Sequence, residues 1–168
     1  ATADSASYVY VKKGTYTGSF SILTTNCGRF MAYPGDLVTV VSSGERTGIG
    51  IVSVKRGLFQ GFVFDANNKR WFFNVQGKSQ NIIWRKNEMK NSLDTTSENP
   101  ACIFFANQKT RYTNMVMQDN IFHAVRDPKV HHGASVTTYQ MTNSLFEDNH
   151  VYDIDGRGFN EKVGGRRN

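Results

Sequence analysis

The chain has little proline, little charge and no long apolar run. Only three prolines occur in 168 residues, which argues against extended linkers, and the lack of an apolar run argues against a membrane-spanning helix. Charged residues make up 20% of the chain, while aromatic residues make up 12% and include 12 phenylalanines. This composition suits short stacked strands better than amphipathic helices, and the length fits one domain with a substantial core.

The chain is basic, but its basic residues are dispersed. The net charge is +6 and the pI about 9.4, which favours an anionic partner. No run of Lys and Arg of the kind that forms a nucleic-acid-binding arm is present, so we expect no nucleic acid partner. A solvated basic surface without any partner is the alternative. Residues 1–6 are small and polar, as in a processed secreted chain, so we expect a secreted or cell-surface location, although no signal segment is present.

Residues 81–155 repeat one pattern three times, in which an Asn is followed six residues later by a second Asn. The pairs are Asn81 and Asn87, Asn114 and Asn120, and Asn143 and Asn149. An apolar residue stands two positions after each Asn. After the first Asn these are Ile83, Val116 and Leu145, and after the second they are Met89, Phe122 and Val151. The second Asn recurs after 33 residues (87 to 120) and then 29 (120 to 149), a period typical of a solenoid.

The residues around each second Asn alternate with a period of two, which indicates strand, bend and strand. A repeat of about 30 residues without a helix predicts a parallel β-helix whose coils stack about 4.8 Å apart. We expect an all-β single domain over residues 1–168, with five to six coils of three short strands. Asn87, Asn120 and Asn149 would then face inward at one bend and hydrogen-bond one another. Three chance Asn residues in an Asn-rich chain are the alternative.

Equivalent strands can be matched between coils. Residues 70–76 match 102–108 in the next coil and 135–140 in the coil after that. The last full coil therefore holds strands at 135–140, 143–148 and 150–154. Long connections fall between the third strand of one coil and the first strand of the next, at residues 91–100, 126–134 and from 155 onward. Because the tight bends are nearly constant, we expect function to collect in these loops beside the first strands.

The segments YVYVKKGTYTG at residues 8–18 and MAYPGDLVTVV at 31–41, followed by the coils with paired Asn, resemble the opening of right-handed parallel β-helix proteins. That superfamily is dominated by polysaccharide lyases, glycoside hydrolases, epimerases and phage tailspikes. The resemblance covers nearly the whole chain and implies a right-handed coil with a substrate groove beside the first strands. It carries no catalytic signature that transfers residue by residue. Members are usually longer, and a bare last coil would expose core and unpaired strand edges. We therefore expect an N-terminal fragment of a longer solenoid, with further coils or another chain stacked on residues 153–159. A short, complete solenoid whose tail folds over its own end is the alternative.

Two cysteines, Cys27 and Cys102, lie about three coils apart in this arrangement. That separation exceeds the roughly 7 Å limit on the Cα atoms of a disulfide. We therefore predict two free thiols.

The loop at residues 126–134 is the richest in ionisable groups, with His123 one turn upstream and residues 153–157 stacked beside it. Elimination from an acidic sugar requires neutralisation of its carboxylate by Arg, Lys or bound calcium, and a base such as His, Lys or Tyr. The pattern therefore predicts a lyase acting on acidic polysaccharide, with a solvated polar loop as the alternative. The predicted catalytic residues are Lys129, His131, His132 and Arg157, and the predicted substrate-binding residues are Arg126, Tyr139, Asp153 and Asp155.

Two other functions stay open. Asp153 and Asp155 share a strand face at about 7 Å, within the roughly 6.5–9.5 Å range of an inverting glycoside hydrolase, although Asp-Ile-Asp-Gly is also a strand exit and turn. A non-catalytic binding solenoid, such as an adhesin or tailspike shaft, would instead use exposed aromatic residues on one sheet to stack on sugar rings. The candidates for that row are Phe72, Phe104 and Tyr139.

No metal site is predicted with assigned ligands. Calcium bound through Asp127, Asp153 and Asp155 stays open as a cofactor, but their spacing is not diagnostic of a calcium loop. His131 and His132 lack a matching set of Cys and His for zinc.

Overall fold

The computed structural model describes residues 8–23, 28–96, 99–106, 109–129 and 131–161. Every element within these ranges is a strand, and the strands pair in parallel across three six-stranded sheets. Each turn of the chain passes through the three sheets in the same order, which we call A, B and C. The predicted parallel β-solenoid of about six turns is therefore confirmed.

The strands of each sheet come from six successive turns. Sheet A contains β1 (Tyr8–Val11), β4 (Arg29–Ala32), β7 (Gly57–Gln60), β10 (Ile82–Arg85), β14 (Val116–Gln118) and β18 (Leu145–Glu147). Sheet B contains β2 (Gly14–Gly18), β5 (Val38–Ser42), β8 (Phe62–Lys69), β11 (Glu88–Leu93), β15 (Ile121–Arg126) and β19 (His150–Val151). Sheet C contains β3 (Phe20–Ile22), β6 (Thr47–Val52), β9 (Trp71–Gln76), β12 (Ala101–Phe105), β16 (Gly133–Thr138) and β20 (Gly156–Glu161). A short pair, β13 (Tyr112–Thr113) and β17 (Met141–Thr142), lies between sheets C and A in sequence.

The asparagine ladder lies at the bend from sheet A to sheet B, as predicted. Asn87 Nδ2 donates to Asn120 Oδ1 at 3.1 Å, and Asn120 Nδ2 donates to Asn149 Oδ1 at 2.9 Å. The same amide oxygens accept backbone N–H groups of the preceding turn, and the Asn120 amide also donates to the carbonyl of Trp84. Because these amides satisfy one another inside the solenoid, polar side chains are tolerated in a core that excludes water.

A left-handed residue stands immediately before each ladder asparagine. Lys86, Asp119 and Asp148 have φ angles of 54°, 55° and 51°. The first Asn of each repeat has the same conformation at the bend into sheet A, where Asn114 Nδ2 donates to Asn81 Oδ1 at 2.9 Å. Asn and Asp tolerate this conformation better than other side chains. The repeated polar residues therefore allow the chain to turn sharply between flat sheets.

Aromatic rings fill the interior. Phe59 lies against Phe30 and Trp84 in an offset stack, and Phe73 meets Trp84 edge-on. Met89 pairs in register with Phe122, and Phe122 pairs with Val151, so the second apolar column of the repeat faces the core. The first column, in which Ile83, Val116 and Leu145 pair, faces outward. Full burial of each large apolar side chain contributes roughly 1.5–3 kcal/mol.

The match of residues 102–108 with 135–140 is confirmed in register, because Ile103 pairs with Val136. The match of residues 70–76 with 102–108 was correct in element but wrong in register. Trp71 pairs with Ala101 and Phe73 with Ile103, two residues away from the alignment of Phe72-Phe73 with Phe104-Phe105. The repeated Phe-Phe pair misled the alignment, because Ile103 and Phe105 continue the inward columns of Phe73 and Val75.

Residues from 155 onward were predicted as a loop, but β20 begins at Gly156 and pairs with β16. The loop predicted at 91–100 is also shorter, because β11 extends to Leu93.

Cys102 is a free, buried thiol, and burial raises its pKa to about 12. Cys27 lies outside the described residues. In the described part of the chain, no helix is long and apolar enough to span a membrane.

Leu145, Phe146 and Phe159 of the sixth turn are partly exposed and line a cavity of about 670 Å³. The stacking of further coils or another chain here stays a prediction.

Candidate functional site at the B–C corner

The loops that join sheet B to sheet C stack on one another and form what we call the B–C corner, whose described residues are 43–46, 94–96, 99–100, 127–129, 131–132 and 152–155. Backbone bonds join successive turns there. Asp94 N–H donates to the carbonyl of Arg126 at 3.1 Å, and Gly133 N–H donates to that of Asp155 at 3.0 Å. Side chains that are distant in sequence therefore come together along the solenoid axis. Most of the predicted site residues lie here.

Arg126 joins both predicted aspartates of the next turn. Its Nη2 atom lies 2.6 Å from each carboxylate oxygen of Asp153, and its Nη1 atom lies 3.4 Å from Oδ1 of Asp155. The hydrogen bond to Asp153 and the charges of both carboxylates raise the pKa of Arg126. These three residues therefore bind one another, and Arg126 is not a solitary cation awaiting a substrate carboxylate.

Asp127 shapes the loop that carries the predicted basic residues. Its buried carboxylate accepts the backbone N–H of His132 at 2.8 Å, and its carbonyl accepts that of His131 at 3.2 Å. The backbone N–H of Asp127 donates to Oδ2 of Asp155 at 3.2 Å. The loop is thus closed on itself and bound to the next turn, while the Lys129, His131 and His132 side chains remain exposed.

Arg157 lies beside this loop, but Tyr139 lies apart from it. Arg157 is on β20 opposite Ala134, and its Nη1 atom donates to Asn160 Oδ1 at 3.1 Å. Tyr139 follows the far end of β16, about 20 Å from Gly133 at 3.3 Å per residue. It is buried and meets Phe104 edge-on. The structure therefore brings seven of the eight predicted residues together and separates Tyr139 from them.

The predicted row of exposed aromatic residues on sheet C is wrong. Phe72 is fully buried in the core, and Phe104 and Tyr139 are almost fully buried. Trp71 covers Phe104 in a stacked contact at 4.5 Å, and its indole N–H donates to the carbonyl of Asn99 at 2.8 Å. Because these three rings are buried, they are not available for stacking on a sugar.

A further cluster lies next to the corner on the outer face of sheet B. His123 Nε2 lies 3.0 Å from Glu88 Oε1, and Lys90 Nζ lies 2.7 Å from the same oxygen. The His123 ring is parallel to that of Tyr152, with centroids 4.8 Å apart. His150 meets Tyr152 edge-on at 5.2 Å. We call Glu88, His123 and Tyr152 the sheet B triad.

The neighbours of Glu88 within and beside the sheet B triad favour its ionised form. Burial raises the pKa of Glu88, but the bonds to Lys90 and His123 outweigh burial and lower that pKa below its ordinary value. The His123 side chain is 17% exposed, whereas Tyr152 is 46% exposed. The triad thus consists of an ionised carboxylate, an oriented imidazole and an accessible phenol.

The sequence contained the signal for most of this cluster. Phe122 and Val151 occupy the same column of the repeat, so the residues that follow them, His123 and Tyr152, must lie side by side. His123 was expected only as a neighbour of the loop, and no role was predicted for Tyr152. Asp153, which Arg126 binds, comes directly after Tyr152, so the triad and the Arg126 ion pairs are neighbours along the chain.

No cluster of three or more His, Cys, Asp or Glu side chains suited to a metal ion occurs among the described residues. Asp153 and Asp155 bind Arg126, and Asp127 binds the backbone of its own loop. The proposed calcium ligands therefore already have protein partners.

The chain was compared with protein-family models, with curated proteins and with solved structures. No family model, curated protein or solved structure matches it.

Proposed function

We propose that the chain cleaves an acidic polysaccharide by β-elimination at the B–C corner and the adjoining face of sheet B. The observation that carries this proposal is the sheet B triad, in which Glu88 orients His123 against the exposed Tyr152. Asp153, which follows Tyr152 in the chain, is bound by Arg126, the last residue of the strand that leads into the basic loop (residues 127–129, 131 and 132). In this proposal the triad supplies the base and the acid, and the loop supplies cations for the substrate carboxylate.

The triad supplies both proton transfers of the reaction. The Nε2–H group of His123 donates a hydrogen bond to Glu88, so the Nδ1 atom carries a free lone pair. That lone pair is the base that removes the proton at C5 of a uronate. The C4–O bond then breaks, a double bond forms between C4 and C5, and the Tyr152 hydroxyl gives its proton to the departing oxygen. A carboxylate that orients histidine fixes the tautomer that this step requires.

The loop supplies the positive charge. The proton at C5 is removed only when the negative charge that spreads onto the substrate carboxylate is stabilised. Lys129, His131 and His132 are exposed on the loop, and Arg157 is exposed on β20. We assign the stabilisation of this negative charge to these four side chains. Among the described residues, no salt bridge is formed by Lys129 or Arg157. In this scheme Arg126 holds residues 153–155 in place, instead of binding the substrate directly.

Hydrolysis by paired aspartates has less support. Asp153 and Asp155 share the Arg126 guanidinium, and a carboxylate bound by a guanidinium is poorly placed to hold the proton that a general acid must donate. The second candidate is non-catalytic binding of the same polymer, because four exposed basic side chains are sufficient to hold an anionic chain.

One experiment distinguishes these functions. The protein is incubated with alginate, polygalacturonate, hyaluronan and chondroitin, while ultraviolet absorbance and reducing ends are both followed. A lyase produces both signals from at least one polymer. Reducing ends without absorbance indicate a hydrolase, and retention on the immobilised polymer with neither signal indicates a binding protein. The last two outcomes contradict the elimination.

A further inference from the structure

The first turns of sheet A carry a tyrosine patch on their outer face, formed by Tyr8, Tyr10 and Tyr33. The three side chains are 53%, 51% and 43% exposed. Tyr8 and Tyr10 stack with centroids 6.4 Å apart, and Tyr33 meets Tyr10 edge-on at 6.1 Å. Exposed aromatic rings present flat apolar faces that carry a polar hydroxyl at the rim, which suits the mixed surface of a sugar.

Cations border the tyrosine patch. Arg29 Nη1 donates to the Tyr8 hydroxyl at 2.6 Å, and the guanidinium lies over the same ring at 4.9 Å from its centroid. Lys12 Nζ lies 3.5 Å from the centroid of Tyr33. A guanidinium has five N–H donors, and the bond to Tyr8 uses one of them. The arginine is therefore oriented by the tyrosine while it still has donors for an anion.

A cavity of about 480 Å³ opens beside Tyr8, within the usual range for small ligands of about 300–1,000 Å³. Arg29 and Arg56 line it, and Leu58 and Ile83, which pair on the outer face of sheet A, form an apolar floor. None of its described lining residues is acidic. Asp36, close to the patch, accepts the backbone N–H of Lys13 at 2.9 Å.

We propose that the tyrosine patch and this cavity bind a segment of acidic carbohydrate. The tyrosine rings and the apolar floor take the faces of the sugar rings, while Arg29 and Arg56 take carboxylate or sulfate groups, which guanidinium binds in a fork. This site lies on sheet A, away from the B–C corner. The inference goes beyond the proposed cleavage, because the site is assigned no reaction and its ligand follows from its own residues.

The test is a titration of the full ¹⁵N-labelled chain with three tetrasaccharides, followed by backbone amide shifts. The probes are tetragalacturonate for carboxylate, a carrageenan tetrasaccharide for sulfate, and neutral cellotetraose. We expect at least one acidic probe to shift the amides of β1, β4 and residues 56–58, and cellotetraose to shift them much less. The tighter acidic probe identifies the anionic group. Equal shifts with cellotetraose, or acidic-probe shifts confined to the B–C corner, overturn the proposal.

Variants separate the site from a general charge effect. Replacing both Arg29 and Arg56 by Gln is expected to weaken binding at least about tenfold, since charge-assisted bonds are lost. The matched control replaces Lys13 and Lys78 by Gln, which removes the same charge outside the cavity lining. An equal loss in the control contradicts the site. Cleavage plays no part in the readout, so a chain that cleaves no polymer still tests this proposal. A chain that cleaves but shows no shifts in β1 and β4 contradicts this proposal alone.

Discussion

His123 and Tyr152 lie face to face, with ring centroids 4.8 Å apart and planes 9° apart, although 29 positions separate them in the chain (123 to 152). The contact exists because Phe122 and Val151 pair in register one residue earlier. The solenoid thus converts a sequence period into a lateral contact between ionisable groups. Glu88, one turn before, binds the same histidine, so three turns contribute one residue each to the triad.

The asparagine ladder is expected to hold adjacent turns together. Replacing Asn120 by Ala removes a buried amide that bonds both Asn87 and Asn149, so it should lower the free energy of unfolding by about 1–3 kcal/mol. Urea denaturation measures the loss. Gln118→Ala is the matched control, since that amide lies on the outer face of the same turn and bonds Glu147 at 2.9 Å. Equal losses from the two variants would contradict the role of the ladder.

Glu88 is expected to make stability depend on pH. Its pKa is lowered in the folded chain, so its ionised form stabilises the fold above the unfolded value of about 4.3, and this contribution is lost as pH falls through the lower folded value. The difference in unfolding free energy between the unmodified chain and Glu88→Gln should therefore shrink from about pH 6 to about pH 3.

The exposed Glu45 supplies the control for this pH effect, because no ion pair of Glu45 occurs among the described residues. Glu45→Gln should show little change in the same difference over the same pH range. If the difference for Glu88→Gln is the same at both pH values, the pairing of Glu88 with Lys90 and His123 does not stabilise the fold.

The Cys102 thiol is expected to be inert in the folded chain. Its pKa is raised to about 12 by burial, so almost no thiolate exists at neutral pH. In a Cys27→Ser background, iodoacetamide should add no label under native conditions and one label in denaturant, as measured by mass spectrometry. Labelling at similar rates in both conditions would show that sheet C opens far more readily than its packing indicates.

The basic loop is expected to contribute to turnover. Replacing Lys129, His131 or Arg157 singly by Ala should lower kcat on the polymer that the chain cleaves, because each substitution removes a cation or a donor beside the substrate carboxylate. Lys13→Ala, far from the corner, serves as the control. If the folded parent cleaves a polymer and all three variants retain full kcat, these residues are not part of the site.

Much of the fold could be predicted because asparagine recurs at equivalent bends of successive turns. The amides of Asn87, Asn120 and Asn149 hydrogen-bond one another from turn to turn, so their spacing revealed the turns. The register of β12 could not be read from the Phe-Phe pair, because a shift of two residues leaves the same side chains facing inward, so the inward pattern fits both alignments. The proximity of Arg126 to Asp153 also followed from the repeat. The ion pair between Arg126 and Asp153 did not follow from the repeat, because it depends on how far each side chain reaches.

The most direct test of the proposed function is the rate of ultraviolet absorbance on the cleaved acidic polymer in three variants. We predict that His123→Ala and Tyr152→Phe each lower kcat by about 10²-fold or more, in line with the loss of a general base or acid, while their circular dichroism and unfolding midpoints remain close to those of the parent. Tyr16→Phe, which changes a tyrosine of similar accessibility on β2, should retain the parental rate. If the parent produces no unsaturated product from any acidic polymer, or if His123→Ala and Tyr152→Phe keep the parental rate, the account of the sheet B triad is wrong.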